Sequence, residues 1–288
     1  MFEAGKTYGR YLLLGVLLVA NYFLWNAVIA TDDNRILTVA FLDVGQGDSI
    51  FIEAPNGNQM LIDGGPSGQV VLRALSEVMP FYDRSIDGVI ATHPDKDHIG
   101  GLSSVLERYD VSYFFEPGVE HDTGAYAGLL ESVDVENAEH IFARRGMRIV
   151  LDDEVFLDIL FPDRDPKSME TNDASVIAKL IYGETSFLLT GDTTKKIERY
   201  VASLDAKALD IDVLKAAHHG SKTSSDPILL GFASPAYAVI SSGEGNSYGH
   251  PHKEVTDRLQ QFGAEIVETA KVGTIIFESD GTNLKYKK

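Results

Sequence analysis

Apolar and polar positions along this chain fall into short runs separated by Gly, Pro and Asn, and the first run differs from the rest. Residues 11–30, YLLLGVLLVANYFLWNAVIA, are twenty positions without a charge. As a helix rising about 1.5 Å per residue they reach the ~30 Å of a bilayer's hydrocarbon, and they have no polar stripe to turn toward water. The pattern predicts one N-terminal transmembrane helix. Lys6 and Arg10 precede it and Asp32 and Asp33 follow, which puts the remainder of the chain on the extracytoplasmic side of the cell membrane. A cleaved signal segment is the other reading, with Val28 and Ala30 as the small residues before the cut and a secreted product. Residues 1–30 are thus anchor or signal, 31–35 a linker, and 36–288 one domain.

After residue 36 the runs are short. ILTVAFLDV, SIFIEAP and QMLIDGG read as strands, the last two joined across a PNGN turn. A helical stretch near 69–79, a strand at 86–93, a helix near 102–109 and a strand at 111–118 follow. Beyond a polar middle segment come MRIVLDD, EVFLDILFP, ASVIAKLIY and TSFLLTGD, with a hairpin at Gly183 and Glu184. Helices near 195–203 and 253–262, strands at 212–220 and 236–243, and a hairpin at 279–283 complete the order. Two mixed sheets packed face to face with helices outside make a four-layer αββα sandwich.

Composition narrows the chemistry. The 288 residues hold 43 Asp and Glu against 25 Lys and Arg, a net charge of −18. Such a charge opposes nonspecific adhesion to nucleic acid or anionic lipid, so contact with a phosphodiester must be local or metal-bridged. Cys is absent, which excludes thiolate nucleophiles, disulfides and every Cys-based zinc site. Metal ligands must be His, Asp or Glu.

Those residue types gather at strand ends. In THPDKDHIGG, His93, Asp95, Asp97 and His98 follow the apolar run DGVIA within six positions. Residues two apart in extended chain face one way, so His93 and Asp95 can hold one ion and Asp97 and His98 a second at the turn into a helix. Gly100 and Gly101 permit close packing behind them. Asp192 ends the run FLLTG, where a ligand bridging two ions can stand; a helix cap is its plain alternative. His218, His219, Gly220 and Ser221 end another strand, and His250 and His252 follow a third. His121 and His140, in the polar middle, read as surface residues. Ser221, Ser241, Ser242 and Asn246 are candidate phosphate donors or loop residues, and Lys96, Lys215 and Lys222 flank the motifs, where they steer phosphate or stay solvated surface, the latter favoured for Lys96.

HPDKDHIGG resembles the HxHxDH signature of the metallo-β-lactamase superfamily, and LLTGD and HHGS resemble its later motifs. FLDVGQGDS, THPDKDHIGG, NDAS at 172–175, LLTGD, KAAHHGS and SSGEGNSYGHP are similar, in that order, to the C-terminal hydrolase domain of ComEC-type DNA-uptake proteins. The likeness covers nearly everything after Arg35. It implies an αββα fold, two divalent ions, zinc or manganese, and phosphodiester hydrolysis, with single-stranded DNA as the substrate. It puts metal ligands at His93, Asp95, Asp97, His98 and Asp192, Asp192 between the ions, and His250 as a late ligand. His218 and His219 fall where relatives place a phosphate-contacting or proton-donating histidine, with Asp97 also at the catalytic centre. Asn172, Ser221 and Asn246 are the implied substrate contacts. Asp95 departs from the pattern by replacing the second His, and no His stands near Asn172 where a third ligand of the first ion is expected. More carboxylate hardens the ligand set and makes Mn²⁺ or Mg²⁺ competitive with Zn²⁺. A ComEC protein also has a multi-helix channel; with one span, this chain would work beside a separately encoded channel, or act on another phosphoester such as a phosphocholine or cell-wall ester. A noncatalytic surface protein that keeps the fold to bind DNA or a channel is the reading from a different class.

Overall fold

A computed structural model describes the backbone at residues 2–31 and 35–287 and the side chains at 11–25 and 35–287. Contacts divide the chain into two units, Met1–Arg35 and Ile36–Lys288. The first is a single helix, α1 (Phe2–Thr31), whose apolar side chains over 11–25 are exposed. Among the described residues no helix is long and apolar enough to cross a membrane. Side chains 26–30 of the expected span, the flanking Lys6 and Arg10, and Asp32 and Asp33 lie outside the described residues.

The second unit contains two sheets. In chain order the strands are β1 (Leu37–Phe41), β2 (Ile50–Glu53), β3 (Gln59–Ile62), β4 (Ser85–Ile90), β5 (Asp110–Glu116), β6 (Glu139–Phe142), β7 (Arg148–Asp152), β8 (Val155–Phe161), β9 (Ile177–Tyr182), β10 (Thr185–Leu189), β11 (Val213–Lys215), β12 (Tyr237–Ile240), β13 (Glu265–Glu268), β14 (Ile275–Ser279) and β15 (Leu284–Lys287). The first sheet has the order β15-β14-β1-β2-β3-β4-β5-β6 and the second β13-β12-β11-β10-β9-β8-β7. Each begins as an antiparallel meander and continues in parallel from β3 and from β10.

Period-two alternation builds the layers. In β1, Val39 and Phe41 enter the core between the sheets while Ala40 faces outward. In β10, Phe187 and Leu189 point inward and Leu188 outward. Phe277 joins Phe41 and Phe187 across the inner core at ring distances of 6.2 and 6.0 Å. Burying each such ring contributes about 2 kcal/mol. The outer face of the first sheet is covered by α2 (Gly68–Val78), α3 (Lys96–Ile99), α4 (Leu102–Arg108) and α5 (Gly124–Glu136), through side chains such as Leu75, Leu102 and Leu129. That of the second is covered by α6 (Lys195–Asp205), α7 (Pro227–Ala233) and α8 (Lys253–Gln261), with α9 (Thr269–Val272) after β13. The four layers and the three expected hairpins are therefore present.

The polar middle segment is more ordered than its composition predicts. It forms α5 and the edge strand β6. Leu129 and Val133, four residues apart, anchor α5, and Thr123 caps it by accepting the Tyr126 N–H. Two buried positions in thirteen make too faint a stripe to read from sequence.

Candidate metal centre

Chain ends of neighbouring strands converge where parallel sheets ordinarily hold ligands, at the carboxyl ends. Asp63 follows β3, Thr92 and His93 follow β4, Asp192 follows β10, His218 and His219 follow β11, and Ser241 follows β12. Asp48 arrives from the loop between β1 and β2. Packing behind the motif is tight: a Cβ on Gly101 would lie 2.1 Å from the Gly64 carbonyl oxygen, so only glycine lets α4 start there.

Three histidines present one nitrogen each because the other is held. His98 Nδ1 donates to Asp63 Oδ2 at 2.7 Å. Thr92 donates its N–H to Asp63 Oδ1 at 2.8 Å and its hydroxyl to Asp63 Oδ2 at 2.7 Å. With that proton engaged, Thr92 Oγ1 accepts from His93 Nδ1 at 3.0 Å. His219 Nδ1 donates to the Ser241 carbonyl at 2.9 Å. The tautomers so fixed leave the Nε2 lone pairs of His93, His98 and His219 directed elsewhere, and all three atoms are buried without a hydrogen-bond partner.

Carboxylates meet those lone pairs. Asp192 Oδ1 is 3.3 Å from His98 Nε2, and Asp192 Oδ2 is 3.4 Å from His219 Nε2, so one oxygen faces each imidazole. Asp97 Oδ2 is 3.4 Å from His219 Nε2. The ligand atoms of His93, His98 and Asp192 lie within 4.8 Å of one another, as do those of Asp97, His98 and His219, and those of Asp48, Asp192 and His219. Asp48 Oδ1 and Asp192 Oδ1 are likewise buried and unpartnered. A buried polar atom left so costs about 1–3 kcal/mol, and divalent cations satisfy this nitrogen and oxygen set. The residues fit divalent metal.

The carboxylates also draw positive charge to these imidazoles, carried by a proton on Nε2 or by a cation in its place. Burial opposes charge on His98, but Asp192 and Asp63 outweigh it and hold the imidazole well above its ordinary pKa. Burial likewise opposes charge on His219, yet Asp192 and Asp48 raise it to about 9. Burial pushes Asp192 up while His219 and His98 bring it well below the carboxylate range. His93 goes the other way, to about 3, through burial and then the neighbouring His98. The cluster favours positive charge at its centre.

Each expected residue has a place. His93, Asp97, His98 and Asp192 come together, and His219 joins them. The sequence left His218 and His219 open; the backbone separates them. Both are left-handed, at φ 50° and 54°, a conformation costing about 1 kcal/mol or more for such residues. Hydrogen bonds from His218 N to Gly191 O at 3.2 Å and from Ser224 Oγ to Ala217 O at 2.6 Å hold the turn. It buries His219 and leaves the His218 side chain at the rim, 26% exposed, with Nε2 3.8 Å from Asp192 Oδ2. Asp95 stands to the side, its Oδ2 3.7 Å from His93 Nε2.

His250, expected as a late ligand, belongs to none of the ligand groups among the described residues. Its ring stacks on Tyr248 at 5.7 Å and lies 6.3 Å from the His219 ring. Asn172 lines the cluster, with Nδ2 3.5 Å from His218 Nδ1 and a buried, unpartnered Oδ1. The Asn246 amide is engaged within its own loop, donating to Gly243 O and His250 O and accepting from His250 N. Ser221 Oγ is engaged by the Thr223 N–H at 3.3 Å inside its turn. Lys215 cannot steer phosphate either, for it is fully buried and donates to Asp48 Oδ2 at 2.6 Å. Asp48, Asp63 and Thr92 were given no role from sequence, although Asp63 follows an apolar run just as Asp192 does.

Residues 42–244 match the family described as the metallo-beta-lactamase superfamily. ComE operon protein 3 of Bacillus subtilis (strain 168) is 30% identical over 253 residues, 82% of this chain and 32% of that protein. Competence protein ComA of Neisseria gonorrhoeae is 30% identical over 266 residues, 91% of this chain and 35% of that one. The chain thus spans about a third of the length of these curated relatives. Among solved structures, CmlA, a diiron beta-hydroxylase from Streptomyces venezuelae, shares the fold with a TM-score of 0.53 at 14% identity, over 81% of this chain and 52% of its own. Matched along most of its length and carrying the motifs in order, the chain belongs to the metallo-β-lactamase superfamily, with a metallo-hydrolase fold related to that of ComEC-type competence proteins.

Proposed function

We propose that the chain is a two-metal phosphodiesterase that cleaves single-stranded DNA or another phosphodiester on the extracytoplasmic side of a membrane. The observation that carries this reading is the convergence of three buried Nε2 atoms, none with a hydrogen-bond partner, with buried Asp192 and part-exposed Asp97 in one cluster. His93 and Asp95 would hold one ion and Asp97, His98 and His219 the other, with Asp192 near both groups. Bound there, divalent cations supply positive charge for phosphate oxygens and acidify water at neutral pH. Binding of the anion despite the net charge of −18 has the same origin.

The chain's own groups do the rest. Asp63, Thr92 and the Ser241 carbonyl orient the imidazoles, and tight packing against Gly64 and Gly101 fixes their backbone. His218, at the rim and 3.1 Å from Thr223 Oγ1, is placed to contact phosphate or give a proton to the leaving oxygen. The uncharged segment at 11–30 supports membrane attachment, and a separately encoded channel is the partner this arrangement suits.

The full chain, stripped by chelator and reloaded with Mn²⁺ or Zn²⁺, is expected to hydrolyse bis(p-nitrophenyl) phosphate and single-stranded DNA. Asp192→Ala is expected to lower both rates at least 100-fold, a barrier increase of about 2.7 kcal/mol. Wild-type turnover of neither substrate, or full activity in the variant, contradicts the proposal.

A further inference from the structure

His121 lies on the connection between β5 and α5, where the polar sequence predicted a surface residue. Its side chain is only 23% exposed and Nε2 is 3.8 Å from Asp95 Oδ1. The other oxygen of that carboxylate, Oδ2, is the one 3.7 Å from His93 Nε2. Asp95 precedes α3 at the N-cap position, yet its side chain makes no capping hydrogen bond. The carboxylate instead extends between two imidazoles from different loops. The His121 ring rests edge-on against Tyr126 at 6.5 Å, and Tyr126 is itself fixed by donating its hydroxyl to Glu116 at 2.8 Å. His121 Nδ1 is buried without a partner, so Nε2 toward Asp95 is the polar contact this ring makes.

We propose that His121 is a positioning residue for the first cation, holding Asp95 Oδ1 so that Oδ2 is presented beside His93. The inference rests on the metal reading above and names a group that neither the motif nor the ligand clusters contain. A part-exposed carboxylate that makes no capping hydrogen bond can swing unless its free oxygen is held, and such outer partners change metal affinity by about 10- to 100-fold. At 3.8 Å the pair is past hydrogen-bond length but close enough for His121 to hold that oxygen electrostatically. Asp95 is the position where this chain has a carboxylate in place of the superfamily's second His. The carboxylate's second oxygen needs an outer partner, as the imidazoles need Asp63, Thr92 and the Ser241 carbonyl, and His121 supplies it.

Titration of the full-length chain with Mn²⁺, read by a competing indicator, tests this. Wild type is expected to take up two ions. His121→Ala is expected to weaken one of them by about 10- to 100-fold and leave the other unchanged. His121→Gln, whose amide can still donate to Asp95, is expected to recover most of the loss, and in Asp95→Ala the additional loss of His121 is expected to change nothing. Two ions bound by His121→Ala with wild-type affinities would overturn the inference while leaving the metal reading intact. A wild-type chain that takes up no ion would overturn both.

Discussion

A histidine donates a lone pair at one nitrogen only if the other keeps the proton, and Asp63 enforces this for His98 directly and for His93 through Thr92. Asp63 sits at φ 60°, where Asn is well tolerated, so Asp63→Asn leaves the backbone undisturbed. The amide oxygen can accept from Thr92 N, but its NH₂ then faces His98 Nδ1 and drives the proton to Nε2. Mn²⁺ affinity is expected to fall by about 10- to 100-fold with the unfolding midpoint little changed, as measured by indicator titration and by urea denaturation. Unaltered affinity in this variant would show that the Asp63 hydrogen bond does not set the tautomer. At this scale the sequence revealed His93, Asp97, His98 and Asp192 by spacing and by position after apolar runs. It could not rank His218 against His219, since their difference comes from two left-handed residues in succession. Nor could it show that the Asn246 amide closes on its own loop.

Between elements, α6 and α7 meet beneath the HHGS turn through Glu198. Its carboxylate accepts the Ser225 N–H at 3.0 Å and the Asp226 N–H at 2.6 Å, and Asp226 in turn caps α7 by accepting from Ile228 N. Burial raises the Glu198 pKa to about 7 against those two donors, with Asp226 adding to the rise and Lys195 opposing it. The folded state thus binds the proton more tightly than the unfolded chain at 4.5. The stabilisation is complete below pH 4.5 and is lost as pH climbs through 7, on the order of 3 kcal/mol. In chelator, urea midpoints are expected to drop more steeply from pH 5 to 8 for wild type than for Glu198→Gln, which carries no proton to lose. Parallel profiles would refute the assignment. Strands and most helices were legible because β1 and β10 alternate between two apolar faces, whereas α5 was not, because Leu129 and Val133 alone anchor it.

For the whole molecule, two sheets bring together residues as distant in sequence as Asp48 and Ser241 around one cluster, which no single motif spells out. Lys215 shows the limit of reading charge locally: beside HHGS it looks like a phosphate guide, but the packed sheets enclose it against Asp48. On the proposed reading, cations at the centre offset the net charge of −18 where an anionic substrate would bind. Diffraction from crystals grown with Mn²⁺, using its anomalous signal, tests that claim most directly. Two peaks are expected with Asp192 between them, one against His93 and the other against Asp97, His98 and His219. A cluster with no anomalous peak, at a Mn²⁺ concentration that supports hydrolysis, would contradict the account.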